Sequence, residues 1–292
     1  MRRLAFLLLL GGCTLTAPTP APRYVVGAPY QLDGVWRYPR EDFAYADTGL
    51  ATVYDRPGRL TASGEAFDAT ALAAAHPTLQ LPALARVTNL ENGRQILVRI
   101  NDRGPDNAAR TLGLTRRAAE ILGAAGTTGL RVRIQVQEAE SRAMAGENRP
   151  EAPRLTVSTA PSAAVQSESL APPPGARQSN RGQTAAAGPV PVATNTPAAP
   201  AAVPLRLPEE VWQTTPRSGQ LAIECGSFSR PEYANVQRNR LAALGAHVST
   251  DYYAPRDRAF IVRLGPFPTI AAAESALRRT LPMVPDAHIV IE

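Results

Sequence analysis

Three short segments of the chain carry residue types that enzymes use to move protons. Glu65 lies within residues 61–68, His76 follows a run of alanines, and Asp102 comes directly before Arg103. Carboxyl and imidazole groups are the usual proton donors and acceptors in catalysis. Each also has a purely structural interpretation. Asp102 is then a turn-forming residue, Glu65 a solvated hairpin carboxylate and His76 a satisfied structural histidine.

Composition removes several other kinds of chemistry. All 31 basic residues are arginine, so lysine Schiff-base and lysine general-base mechanisms are excluded. The only cysteines, Cys13 and Cys225, cannot build a disulfide framework or a cysteine zinc site. We therefore expect no metal and no cofactor. The net charge of +6 suits an anionic polymer, an anionic membrane surface or nucleic acid, and it equally suits a solvated surface.

The candidate residues lie in a region with the pattern of short β-strands. Apolar and polar residues alternate in several segments between Thr48 and Glu138, and Asn92-Gly93 is a strong hairpin signal. This pattern predicts a compact β-barrel, with short helices after Thr115 and over the alanine-rich residues 69–75. Upstream, residues 24–45 are rich in aromatic side chains, which either pack on the barrel or form a glycan-contacting surface.

A second folded region follows a segment without the means to form a core. Residues 141–217 are dense in Pro, Ala, Ser and Thr and predict a disordered linker. Residues 218–292 have the order strand, helix, strand, strand, helix, strand. Two βαβ halves of this kind predict a ferredoxin-like sheet with both helices on one face. The fold class is thus mainly β in the first region and α+β in the second.

The N-terminus predicts export. Arg2 and Arg3 precede an apolar run too short to span a membrane, which is typical of a secretory signal over residues 1–12. The segment Leu10 to Cys13 resembles a bacterial lipobox, which implies lipidation at Cys13, a tether over 13–23 and membrane attachment. Thr14 favours the periplasmic face of the outer membrane, and export makes nucleic acid an unsuitable partner. Alternatively, Cys13 is an ordinary residue of a cleaved leader.

The ordered motifs of residues 24–140 resemble the double-psi β-barrel of the rare lipoprotein A (RlpA) family of septal lytic transglycosylases. The motifs are Thr61 to Asp68, Ala74 to His76, Arg86 to Leu90, Asn92 to Arg94 and Ile100 to Pro105. The resemblance implies endolytic cleavage of the MurNAc-GlcNAc β-1,4 bond of peptidoglycan with formation of a 1,6-anhydro sugar. The reaction that the resemblance implies consumes no water and uses no cofactor.

The resemblance also implies a role for each candidate residue. Asp102 acts first as the acid and then as the base. Its pKa must be raised by a partly apolar site or by a nearby carboxylate, for which Glu65 is the candidate. His76 orients the site or bonds to the sugar. Substrate contacts are expected from Thr61, Ser63 and Arg103.

The sequence departs from the family pattern near these motifs. Val53 and Asp55 stand where Trp and Gly are usual, Asp106 and Asn107 replace an apolar pair, and Gly113 replaces an Asp. An alternative function therefore stays open, in which the protein is a non-catalytic peptidoglycan-binding septal lipoprotein.

Residues 218–292 resemble the sporulation-related (SPOR) domain through Glu224 to Phe228 and Arg263 to Phe267. That resemblance implies binding of glycan strands stripped of stem peptides, enrichment at the division septum and contact with septal division proteins. The expected contact residues are Glu224, Ser227 and Arg263.

Overall fold

The computed structural model describes residues 19–124, 129–148, 205–253 and 257–292. The predicted signal over 1–12, Cys13, part of the tether and most of the predicted linker lie outside the described residues. Among the residues described, none of the helices is both long and apolar enough to cross a membrane.

Six strands close into a barrel and a short seventh extends its sheet. They are β3 (Ala46–Val53), β4 (Ala73–Ala75), β5 (Ala83–Asn89), β6 (Arg94–Asp102), β7 (Leu112–Leu114), β8 (Leu130–Val136) and β9 (Trp212–Gln213), preceded by the hairpin β1 (Tyr30–Leu32) and β2 (Val35–Arg37). The order is β4-β7-β3-β8-β5-β6-β9, and a β4–β6 pairing closes the barrel. The predicted closed β-barrel is confirmed.

Sequence patterns explain why the barrel closes where it does. Strand β5 is buried along almost its whole length, and the branched side chains Val87, Ile96 and Ile100 fill the interior. The predicted turn lies between β5 and β6, where Gly93 has a φ of +77° and its N–H donates to the Asn89 carbonyl at 2.8 Å. The helix predicted over 69–75 is wrong. Residues Ala73–Ala75 form β4, because pairing with β6 and β7 supplies hydrogen bonds that a single short turn of helix lacks.

The aromatic segment upstream of the barrel packs against it only in part. Phe43 is buried, Tyr45 packs edge-on against His76, and the Tyr30 hydroxyl donates to the Pro77 carbonyl at 2.9 Å. Trp36 and Tyr38 are half exposed. The packing interpretation is thus confirmed for Tyr30, Phe43 and Tyr45, whereas a glycan contact by Trp36 and Tyr38 stays a prediction.

The C-terminal region has the predicted βαββαβ order. Its elements are β10 (Leu221–Phe228), α3 (Pro231–Arg240), β11 (His247–Tyr253), β12 (Asp257–Phe267), α4 (Ile270–Thr280) and β13 (His288–Ile291), with a 3-10 turn at Ala242–Leu244. The sheet order is β11-β12-β10-β13. Helix α4 begins at Thr269, whose hydroxyl accepts from the Ala272 N–H, and it buries Ala273, Ala276 and Leu277 at helical spacing.

The ordered regions extend further into the predicted linker than its bounds of 141–217 allow. Helix α2 (Glu138–Asn148) follows β8 and enters the linker bounds, and residues 205–217 lie along the barrel. The other helix of the barrel domain, α1 (Arg116–Ile121), follows β7. Leu207 is buried in the barrel core, β9 pairs with β6, and the Arg86 guanidinium lies 4.9 Å from the Trp212 ring. The linker interpretation rested on the density of Pro, Ala, Ser and Thr, and that composition does not describe the apolar residues Leu207 and Trp212.

The C-terminal sheet packs directly on barrel strand β3. The Thr48 hydroxyl donates to the Ile291 carbonyl at 2.9 Å and accepts from the Ile291 N–H at 2.8 Å. Leu50 is completely buried within the C-terminal apolar cluster. Arg110 and Glu274 form an ion pair at 2.6 Å. The two domains therefore share one apolar and polar contact surface.

Candidate functional site

A cavity of about 370 Å³ lies beside the Thr61 to Asp68 and Ile100 to Pro105 motifs, and Asp102 is not among its lining residues. Its barrel lining includes Tyr54, Thr61, Glu65, Phe67, Asp68 and Asn101, and its rim includes Pro20, Pro22, Leu205 and Arg206. Two segments outside the barrel strands thus reach the same opening. The Arg206 guanidinium lies 3.1 Å from the Asp68 carboxylate there, and both side chains are exposed.

Glu65 is a buried carboxylate with every nearby donor directed at it. The Arg99 guanidinium donates to both oxygens through Nε at 3.0 and 3.1 Å and through Nη2 at 2.9 Å. The Asn101 side-chain amide donates at 2.8 Å and the Ser63 hydroxyl at 3.1 Å. Glu65 is therefore fixed in the barrel wall as the ion-pair partner of Arg99.

Asp102 is also buried, yet only half of its carboxylate has partners. It is the last residue of β6, where Oδ1 accepts from the Ala62 N–H at 2.9 Å and the Arg103 N–H at 2.8 Å. Oδ2 is buried and has no hydrogen-bond partner among the described residues, and Arg56 Nη1 lies 3.9 Å away. Burial raises the pKa of Asp102 above its ordinary value, against the opposing pull of those N–H groups and of Arg56 and Arg103.

The sequence analysis gave two expected causes for that raised pKa, a partly apolar site and the neighbouring carboxylate of Glu65, and burial is the larger one. The largest cause is burial, while the charge of Glu65 is balanced by Arg99 at 2.9 Å. Proton affinity at Asp102 therefore comes mainly from removal of water.

His76 is bonded to main-chain groups beside Asp102 and to Tyr45. Its Nδ1 accepts from the N–H groups of Thr78 at 3.2 Å and Leu79 at 3.1 Å, and its Nε2 lies 3.2 Å from the Tyr45 hydroxyl. Burial lowers its pKa to about 3, so the ring stays neutral. The ring does not line the cavity, although the His76 N–H donates to the Asp102 carbonyl at 3.0 Å. His76 thus supports the main chain of Asp102, and its predicted role in orienting the site or bonding to the sugar stays a prediction.

The structure places the three predicted substrate contacts in three different environments. Thr61 lines the cavity, as expected, and its hydroxyl accepts from the Glu65 N–H at 3.2 Å. Ser63 is fully buried and bonds to Glu65. Arg103 donates to the main-chain carbonyls of Val26, His76 and Leu79, so its guanidinium is occupied by the fold. The hydrogen bonds of Ser63 and Arg103 lie within the protein, and their substrate roles stay predictions.

Three further residues line the cavity, and the sequence analysis gave none of them a role. Asp68 lines the cavity, accepts from the Thr70 N–H and hydroxyl, and has a lowered pKa through those bonds. Asn101 and Tyr54 also line it. Asp68 and Asn101 belong to the same short motifs as Glu65 and Asp102. That proximity in the sequence was the signal that could have identified them as cavity residues.

The departures from the family pattern lie around Tyr54. A Cβ on Gly113 would lie 3.1 Å from the Tyr54 ring, so that ring takes the space beside Gly113. Val53 is exposed, and Asp55 forms an exposed ion pair with Arg116 at 3.4 Å. Asp106 pairs with Arg56 at 2.8 Å. These changes leave the hydrogen bonds of Asp102 and Glu65 intact.

The candidate glycan-binding residues of the C-terminal domain lie on neighbouring strands. Glu224 and Arg263 are register partners of β10 and β12, with 3.9 Å between their charged groups. Ser227 is exposed and, with Glu224, lines a polar groove that also includes Asp47 and His288. Cys225 is buried, which raises the pKa of its thiol to about 12 and keeps it protonated. No cluster of metal-ligating side chains occurs in the part of the chain that the structure describes.

Comparisons with known proteins match both domains. The family described as lytic transglycolase matches residues 46–134, and the SPOR domain matches residues 218–290. The endolytic peptidoglycan transglycosylase RlpA of Pseudomonas aeruginosa is 32% identical over 260 residues, covering 85% of this chain and 72% of the relative. The chain belongs to the RlpA family. This assignment confirms the double-psi barrel followed by a SPOR domain.

Other relatives cover less of the molecule. The RlpA protein of Escherichia coli K12 is 51% identical over 106 residues, which is 35% of this chain and 29% of that relative. The chain thus matches under a third of that relative's length. The Streptomyces papain inhibitor is 21% identical, with a TM-score of 0.28 over 33% of this chain and 99% of the inhibitor. This score is too low to support any argument about the fold.

Proposed function

We propose that this RlpA-family protein is an endolytic lytic transglycosylase that cleaves the MurNAc-GlcNAc β-1,4 bond of peptidoglycan, with Asp102 as its acid and base. The observation that carries the proposal is the buried Asp102 carboxyl, whose Oδ2 has no hydrogen-bond partner among the described residues. Burial raises the pKa of this group, which favours the protonated form that can donate to a substrate oxygen. Membership of a family whose named relatives are endolytic transglycosylases supports the same function.

A single carboxyl completes the reaction without water. Asp102 gives its proton to the glycosidic oxygen as the bond from C1 to that oxygen breaks. The C6 hydroxyl oxygen of the same muramic acid bonds to C1, and its proton passes to the Asp102 carboxylate. The acid is thereby restored and a 1,6-anhydro sugar is released. Glu65 is bound to Arg99 at 2.9 Å, so its role is to keep the cavity wall charged and rigid.

The SPOR domain and the leader extend the proposal to location. We infer that the sheet around Glu224, Ser227 and Arg263 binds glycan strands stripped of stem peptides, and that this binding concentrates the enzyme at the septum. The lipobox-like segment ending at Cys13 supports anchoring to the periplasmic face of the outer membrane by a lipid on that cysteine. Septal division proteins are further proposed partners.

The activity test uses the chain from Thr14 to Glu292, which retains every described residue. Intact and amidase-stripped sacculi are incubated with the wild type, with Asp102→Asn and with Glu138→Gln, and soluble products are identified by mass spectrometry. Glu138 is an exposed carboxylate on α2, paired with Arg142, and serves as the matched control. We expect 1,6-anhydro products from the wild type and the control, and none from Asp102→Asn. Binding to stripped sacculi with no product from any variant would instead identify a non-catalytic wall-binding lipoprotein.

A second assay tests the SPOR surface separately. Stripped glycan carries free carboxylates, so Ser227→Glu places a repelling charge beside Glu224. We expect this variant to lose co-sedimentation with stripped sacculi, while Ser218→Glu, at an exposed position before β10, keeps it. Equal binding by both variants would remove Ser227 from the binding surface.

A further inference from the structure

One guanidinium lies between a buried and an exposed carboxylate. Arg56 Nη2 donates to Asp106 Oδ1 at 2.8 Å, and Arg56 Nη1 lies 3.9 Å from Asp102 Oδ2. The Asp106 side chain is 79% exposed, whereas that of Asp102 is 4% exposed. Arg56 thus makes its hydrogen bond to the solvated acid and only a longer electrostatic contact to the buried one.

The other polar groups around Asp102 are committed elsewhere or carry no charge. Arg103 is held by three main-chain carbonyls, and the Tyr30 hydroxyl donates to Pro77. Burial raises the pKa of the Tyr54 phenol, so it stays neutral beside Asp102. Glu65 faces Arg99. Two described cations face Asp102. Arg103 is bonded to main-chain carbonyls, whereas Arg56 is bonded to the exposed side chain of Asp106.

The two contacts of Arg56 differ in strength for a physical reason. An exposed ion pair is weak because water and salt screen both charges. The same cation beside a buried carboxylate acts in a medium of lower dielectric constant. A negative charge that forms on Asp102 therefore attracts Arg56 away from Asp106, over a path of about 1 Å, since an N–H···O bond needs roughly 2.9 Å.

We propose that Arg56 is a positioning residue for Asp102, which moves from Asp106 to Oδ2 when Asp102 gives up its proton. The movement stabilises the carboxylate during the interval before the C6 hydroxyl proton reaches it. Asp106 competes for the same guanidinium. While Asp102 is protonated, the bond to Asp106 keeps Arg56 away from Asp102 Oδ2. The catalytic consequence rests on the proposed function, whereas the electrostatic coupling between Arg56 and Asp102 does not.

The proposal requires opposite effects from two nearby substitutions. Arg56→Gln removes the cation and should raise the pKa of Asp102. Asp106→Asn releases the cation and should lower it. Arg56→Lys keeps the charge and should stay closer to the wild type than Arg56→Gln does. Arg116→Gln removes an exposed arginine of the same charge and should change nothing at Asp102.

The test is a pH titration of the Asp102 side-chain carboxyl by carbon-13 NMR on the chain from Thr14 to Glu292, with Asp102→Asn identifying the signal. We expect shifts of at least about half a pH unit, roughly threefold in proton affinity, upward for Arg56→Gln and downward for Asp106→Asn. The pH profile of anhydro-product release should move in the same directions. Circular dichroism verifies folding, and Arg56→Lys is the second variant if Arg56→Gln fails to fold.

Each outcome decides one of the two ideas. No shift in either variant, or shifts of the same sign, overturns the role of Arg56. Shifts of opposite sign without product from any protein, wild type included, support the coupling and reject the transglycosylase function. Loss of product in Arg56→Gln with an unchanged Asp102 titration assigns Arg56 another role and also overturns the proposal.

Discussion

The barrel holds two buried carboxylates, Glu65 and Asp102, in opposite electrostatic environments. Glu65 faces an arginine, an amide and a hydroxyl, whereas Asp102 has two N–H groups on one oxygen and none on the other. Both side chains are nearly excluded from solvent. Burial by itself therefore does not create a proton donor. The two carboxylates differ in the distance to the nearest guanidinium nitrogen, which is 2.9 Å for Glu65 and 3.9 Å for Asp102.

A third carboxylate lies between these extremes. Asp47 bonds to His288 Nε2 at 3.0 Å across the contact between β3 and β13. Its partner is a cation only when protonated, unlike Arg99. The three sites form a series. Glu65 is paired with a permanent cation, Asp47 is paired with a titratable histidine, and Asp102 lies 3.9 Å from an arginine without a hydrogen bond to it. Each prediction below changes one site of this series.

The largest effect is expected from breaking the permanent pair. Arg99→Met leaves Glu65 buried without its cation and should reduce the free energy of unfolding by about 3–5 kcal/mol. The double variant Arg99→Met with Glu65→Gln should recover part of that loss, because no uncompensated charge remains. Denaturant unfolding followed by circular dichroism measures both. A single variant as stable as the wild type would contradict the interpretation of Glu65 as a paired anion.

A smaller loss is expected when one neutral donor is removed from the same carboxylate. Ser63→Ala deletes the hydroxyl that donates to Glu65 at 3.1 Å and should reduce stability by about 1–2 kcal/mol. The ion pair to Arg99 stays in place, which limits the loss. Thr61→Ser, which retains a hydroxyl on the cavity wall, is the matched control. Anhydro-product release should persist in Ser63→Ala, and its abolition in a folded variant would support the predicted role of Ser63 as a substrate contact.

The titratable pair should give a stability difference that depends on pH. Burial opposes the charge on His288, but its bond to Asp47 prevails and raises its pKa to about 9. A raised histidine pKa contributes stability that is fully present below about pH 6.5, the unfolded value, and is lost as the pH rises through about 9. His288→Gln should therefore cost about 1 kcal/mol at pH 6 and almost nothing at pH 10. A pH-independent difference in thermal unfolding would contradict this assignment.

Sequence patterns predicted the parts of the fold that depend on local chemistry. The Asn92-Gly93 turn and the alternation of β5 and β6 specified the barrel hairpin, and helical spacing specified α4. Strand β4 and residues 205–217 were missed for opposite reasons. Ala73–Ala75 favours helix locally but is fixed by distant strands, and Leu207 with Trp212 follows a proline-rich segment whose composition dominated the interpretation.

A motif could suggest a site residue, but it could not show a side-chain partner that is remote in the sequence. The family resemblance named Asp102 as the acid, and that role stays a prediction. The commitment of Glu65 to Arg99 and of Arg103 to carbonyls at Val26 and His76 depends on closure of the barrel. Side-chain partners of this kind lie tens of residues apart, so spacing alone carries no signal for them.

The smallest effect is expected at Asp102, and it has the opposite sign. Because burial raises its pKa, the stability that goes with the protonated form is fully present below the unfolded pKa and is lost as the pH rises through the folded value. Asp102→Asn keeps an oxygen for the N–H groups of Ala62 and Arg103 and removes the ionisation. The variant should therefore be more stable than the wild type at pH 7, by about 0.5 kcal/mol, with the gap closing in acid. Thermal unfolding from pH 3 to pH 8 measures it. A variant less stable at pH 7 would mean that Asp102 is held as a stabilised anion like Glu65, and the contrast between the two carboxylates would disappear.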